Sequence, residues 1–106
     1  MSSIVANPMQ LKDIIDYSNG SVVSKTLIEK SKGTVTLFAF DKDQGLSEHT
    51  APFDAMVTIL DGVGEITIDG KLNNVELGES VIMPANKPHS LKAKSKFKML
   101  LIMIRE

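Results

Sequence analysis

Cysteine is absent from this chain of 106 residues. That excludes disulfides, thiolate nucleophiles and thiolate metal ligands, and it fits a reducing compartment. An excess of one charge is missing too: 12 Lys and Arg stand against 13 Asp and Glu, for a net charge of -1. No overall field therefore points to nucleic acid or to an anionic membrane surface. Long hydrophobic runs are lacking, and the longest, Met99 to Ile104, is far too short to span a bilayer. Met1 to Asp13 has neither a basic opening nor a continuous apolar stretch of the signal-peptide kind. These features predict a soluble, cytoplasmic protein with no nucleic-acid or membrane partner. No low-complexity linker or internal repeat divides the chain. No glycine pattern is suited to cradling phosphate, and no serine sits in a nucleophile elbow.

What is present is a succession of short apolar runs between turn signals. Hydrophobic residues make up 42% and charged residues 24%, so the chain has enough apolar material for one buried core. Asn7-Pro8 is suited to capping a short helical turn through Asp16, with Leu11, Ile14 and Ile15 on one side. After Tyr17 the pattern turns to strands: Ser21 to Glu29, Thr34 to Phe40, Ala55 to Leu60, Glu65 to Ile68, Lys71 to Leu77, Ser80 to Met83, His89 to Lys94 and Phe97 to Arg105. Asp69-Gly70 is a two-residue hairpin signal. Many short strands and no crossover helix exclude a parallel βαβ architecture and predict an all-β sandwich or barrel. Residues 1–20 are expected to form an N-terminal extension packed on a barrel of residues 21–106.

Strand parity gives the runs an inside and an outside. Lys92, Lys94, Lys96 and Lys98 share one parity, while His89, Leu91 and Ala93 share the other. His89 is thus expected inside and the lysines outside. His49, Ala51, Ala55, Val57 and Ile59 also share a parity, so two histidines from separate strands are predicted to meet in one apolar interior. In Phe97 to Ile104 both parities are apolar, so both faces need cover. The N-terminal segment or a second subunit is expected to supply the outer cover, and a homodimer is predicted.

Two stretches carry a resemblance to a known superfamily. The first runs from Gly45-Leu46-Ser47-Glu48-His49-Thr50-Ala51 through Ala55 to Asp61-Gly62; the second is Gly78-Glu79-Ser80-Val81-Ile82-Met83-Pro84-Ala85-Asn86-Lys87-Pro88-His89. They resemble the two motifs of the cupins. In that superfamily two histidines and a glutamate of the first motif and one histidine of the second hold a divalent metal inside a jelly-roll barrel. His49 falls on the first histidine position and His89 on that of the second motif. Ala51 stands where the second histidine belongs, Ala55 where the glutamate belongs, and Ala93 where the family has asparagine. Gly62, Gly78 and Pro84 match in spacing. Gly45 lies closer to His49 than the pattern asks, and Asn86 replaces a turn glycine, as a residue that tolerates positive φ.

The resemblance implies a small, RmlC-like cupin: a double-stranded β-helix, or jelly roll, with an N-terminal extension and a half-erased metal site. The expected pocket is lined by His49, Ala51, Ala55, Val57, Ile59 and His89, with Phe38, Phe40 and Met83 as neighbours. Two alanines at ligand positions open space and lower polarity, which suits a small molecule held by two imidazoles. A second reading is a metal-dependent dioxygenase, isomerase or decarboxylase, in which a bulge at Pro52-Phe53 turns Asp54 inward. His49, His89 and Asp54 then hold iron, manganese, nickel or zinc. A third is a structural or partner-binding module without a cavity. Tyr17, the only tyrosine, lies outside the barrel motifs and gives little support to metal-free catalysis.

Overall fold

The computed structural model describes residues 5–105. The first four residues of the expected N-terminal extension, and Glu106 of the barrel, lie outside the described residues. Nine strands are described: β1 (Val22–Lys30), β2 (Gly33–Phe40), β3 (Gly45–His49), β4 (Asp54–Asp61), β5 (Gly64–Ile68), β6 (Lys71–Val75), β7 (Ser80–Met83), β8 (His89–Lys92) and β9 (Phe97–Ile104). They form two antiparallel sheets, β1-β2-β9-β4-β7 and β3-β8-β5-β6, packed face to face as a jelly roll.

Turn chemistry sets the strand ends. Asp69 and Gly70 both take positive φ, at 50° and 82°, as a type I′ hairpin between β5 and β6 requires. Asn86 takes φ 66° at the turn where the superfamily has glycine. The expected N-terminal helix shrinks to one 3₁₀ turn, Leu11–Asp13, with no side-chain cap on Gln10. Its apolar residues are too few to sustain a longer helix, and the segment is held by packing instead.

Alternation on β2, β4 and β9 divides the apolar residues between two clusters. Facing the second sheet are Phe40, Ala55, Val57, Ile59, Phe97 and Met99, joined by Ile66 and Leu91 from across the barrel. Phe40 and Phe97 stack at 4.6 Å between ring centroids and close one end. On the outer face, Leu37, Ala39 and Leu100 pack against Leu11, Ile14, Ile15 and Tyr17 of the N-terminal segment. The Tyr17 hydroxyl donates to Asp61 Oδ2 at 2.6 Å, and Lys98 Nζ donates to the Lys12 carbonyl at 2.6 Å, which ties that segment down. Burial and the Asp61 carboxylate raise the Tyr17 hydroxyl far above its ordinary range, so it stays a donor.

Candidate functional site

A five-residue strand that no apolar pattern announced places the first histidine. β3 reads Gly-Leu-Ser-Glu-His and has one apolar side chain, so alternation could not reveal it. It forms because β8 offers a ladder, and Gly45 is its closest approach: a Cβ there would lie 2.3 Å from the Leu91 carbonyl oxygen. A register shift between Leu46 and His49 turns both side chains inward although they are three residues apart. His49 then pairs with His89 across the β3–β8 ladder.

The two imidazoles meet at the mouth of a cavity of about 190 Å³. Its walls are Leu46, His49, Ala51, Phe53, Ala55, Met83, His89, Leu91, Met99, Leu101 and Met103. Apart from the histidines, every wall residue is apolar. Four of the six expected pocket residues, His49, Ala51, Ala55 and His89, line it, as does Met83. Val57 and Ile59 do not: they share the inner face of β4 but are fully buried in the core. Phe38 and Phe40 do not reach the cavity either; they stack with each other and, through Phe40, on Phe97. Those rings fill one end of the barrel, so the space opens only toward the small residues at the start of β4. Parity gave the face of Val57 and Ile59 correctly but carried no information about depth. Leu46, Phe53, Leu91, Met99, Leu101 and Met103 are wall residues that sequence reasoning did not place there. For the three on β9, parity supplied the signal, since Met99, Leu101 and Met103 share the inward face with Phe97.

Asp54 corrects the three-ligand reading. No bulge turns it inward; β4 alternates regularly from its first residue, so Asp54 is exposed while Ala55 is buried. Its Oδ1 accepts the Ala85 N–H at 2.8 Å and fastens the start of β4 to the turn after β7.

Hydrogen counting defines what the histidine pair offers. His49 Nδ1 lies 2.9 Å from the Ser47 carbonyl oxygen, and His89 Nδ1 lies 3.3 Å from that of Lys87. A carbonyl oxygen only accepts, so each bond requires the proton on Nδ1. The two Nε2 atoms face each other at 3.1 Å. With both carbonyl bonds made, both Nε2 atoms carry lone pairs, and the contact calls for a proton from elsewhere. One source is a shared extra proton, which would charge the pair. Burial opposes placing it on His89, which is 6% exposed, whereas His49 stands exposed at the rim. Desolvation, followed by the neighbouring His49, holds the His89 imidazole below its ordinary value of 6.5, against a weaker upward pull from the Lys87 carbonyl. The other source is a donor.

A resident divalent metal does not fit these side chains. Iron, manganese, nickel and zinc sites take at least three protein ligands. Here there are two imidazoles, Ala51 and Ala55 have no donor atom, and Asp54 faces away. Among the described residues no group of three or more His, Cys, Asp or Glu is placed to hold a metal ion.

A conserved protein of unknown function from Streptococcus pyogenes is 38% identical over 95% of this chain and 89% of its own, with a TM-score of 0.91. A cupin 2 conserved barrel domain protein from Leptotrichia buccalis is 43% identical over 92% of this chain, with a TM-score of 0.89; the match spans 47% of that longer chain. A cupin superfamily protein from Desulfitobacterium hafniense is 28% identical over 95% of this chain and 93% of its own, at a TM-score of 0.90. No curated protein matches. The profile of the Cupin domain matches residues 36–105, which hold both motifs and both histidines, and the chain belongs to the cupin family.

Proposed function

We propose that the barrel is a receptor for a small, largely apolar molecule that presents one hydrogen-bond donor to the histidine pair. The observation that carries this reading is the convergence of two Nε2 atoms, each backed by a carbonyl on its Nδ1, at the mouth of an otherwise apolar cavity. A donor from outside lets both rings keep their carbonyl bonds. Size narrows the class: a cavity of about 150 Å³ takes a benzene ring. About 190 Å³ therefore suits one six-membered ring with one or two small substituents. Charge narrows it further, since no lysine or arginine lines the cavity and an anion there loses its hydration without a fixed cation in return. Phenols and ring alcohols are the favoured class, and carboxylates are disfavoured.

Isothermal titration with phenol, its methyl ether and benzoate tests this. Phenol is expected to bind about tenfold more tightly than the ether, as one hydrogen bond to a buried acceptor provides. Benzoate is expected to bind more weakly than either. In the His49→Ala/His89→Ala variant the preference for phenol over the ether should vanish. No binding of any ring-sized probe, or a preference for benzoate, would refute the reading.

A further inference from the structure

β3 ends at His49, β8 begins at His89 and β4 begins at Asp54. The open end of the barrel therefore carries the histidine pair and the short connection of residues 50–53. Phe53 is the last residue of that connection. It is half-buried, and it lines the inner cavity of about 190 Å³. It also lines a second hollow, on the outer surface and of about 370 Å³, with Pro52, Asp54, Ala85 and Ile104. Among the described residues no other side chain belongs to both spaces.

The backbone around Phe53 is fastened. The Ala51 carbonyl accepts the Asn86 N–H at 2.7 Å, and Asp54 Oδ1 accepts the Ala85 N–H at 2.8 Å, so both ends of the connection hang on one turn. Pro52 fixes a further dihedral between them. What is left to move is the Phe53 side chain, by rotation about χ1. The Arg105 guanidinium lies 5.3 Å from the centre of its ring. The Arg105 N–H donates to the Lys32 carbonyl at 2.7 Å, which anchors the arginine beside it.

We infer that Phe53 is the gate of the barrel and that Arg105 is its latch. In the closed position the ring is part of the cavity wall, under the guanidinium. In the open position it turns into the outer hollow, which exceeds the roughly 150 Å³ that takes a benzene ring. Pro52, Ala85 and Ile104 give it apolar contact there. Both places suit a phenyl ring, so the contact with Arg105 sets the balance between them. A cation over an aromatic face at an exposed site is a modest attraction, enough to favour closure without locking it. The inference rests on the cavity being a receptor, but not on the donor that the histidine pair accepts.

Benzene, which has no hydrogen-bond donor, tests the gate apart from the donor. Its exchange into the full chain is read by NMR from carbon-13-labelled methionine methyls, because Met83, Met99 and Met103 line the cavity. Phe53→Ala is expected to raise the association rate about tenfold, whereas loss of a mere wall contact would show in dissociation alone. Arg105→Gln keeps the ring and is expected to raise the association rate about threefold. Its dissociation constant should not change, because the latch holds the closed ring in the empty and the occupied barrel alike. Arg105 is exposed, so that variant keeps the test decisive if Phe53→Ala fails to fold. Association rates that neither substitution changes, or faster dissociation alone, would overturn the gate. Wall methyls unmoved by benzene in all three proteins would overturn gate and receptor together. A phenol preference that fails while these rates rise as stated would sink the donor alone.

Discussion

His89 is the residue on which the site's protonation turns. A base held below its ordinary value in the folded state leaves the unfolded chain binding more protons across that window. Stability present above pH 6.5 is therefore lost as pH falls below it, until the folded-state imidazole itself titrates. The melting temperature of wild type is expected to drop between pH 7 and about pH 5 more than that of His89→Gln, and parallel melting series compare the two. Thr34 offers a second test at this scale. Its hydroxyl is buried on the inner face of β2 with no hydrogen-bond partner among the described residues. Thr34→Val keeps the shape and removes the orphan, so it is expected to raise stability by about 1 kcal/mol in a urea titration. The alanines test the metal argument. Ala51→His/Ala55→Glu adds two donors to a cavity wall that already holds two. The double variant is expected to retain a divalent ion through gel filtration when wild type does not, as read by plasma mass spectrometry.

At the scale of elements, hairpins and alternating strands were legible, and the polar strand was not. Asp69-Gly70 announces its turn because two positive φ values in succession suit few other residue pairs, and the β5–β6 ladder forms on either side of it. Gly70→Ala is expected to cost about 1 kcal/mol, measured by chemical denaturation, since it forces a side chain into that region. β4 alternates, so its inward residues could be named in advance, whereas β9 is apolar on both faces and only the parity of Phe97 marks which one turns inward. β3 has no alternation to read: Leu46 and His49 both face inward only through a register shift that its ladder with β8 imposes. Asp54 was legible as a carboxylate near the pocket but not as a residue facing out, because its facing depended on a bulge that β4 does not make. The N-terminal segment shows the reverse case. Its apolar residues signalled packing, and packing rather than helix formation is what holds it.

For the molecule as a whole, what sequence could not supply was depth along the barrel. Motif spacing identified the jelly roll and both histidines, since each is a local pattern. Where the cavity ends depends on Phe40 and Phe97, which are 57 residues apart by their numbering and meet only after β2 pairs with β9. Their stack makes one end solid and leaves space at the other, beside Ala55, Met83 and Met103. A family site that elsewhere takes four ligands is left here with two imidazoles in an apolar wall, a set suited to hydrogen bonding rather than coordination. That claim is tested most directly by nitrogen-15 NMR of the histidine rings at pH 7, with and without phenol. In the phenol complex the bare nitrogen of each ring is expected to be Nε2, with the proton on Nδ1 against its carbonyl. A ring protonated on both nitrogens, or a pair unmoved by saturating phenol, would contradict it.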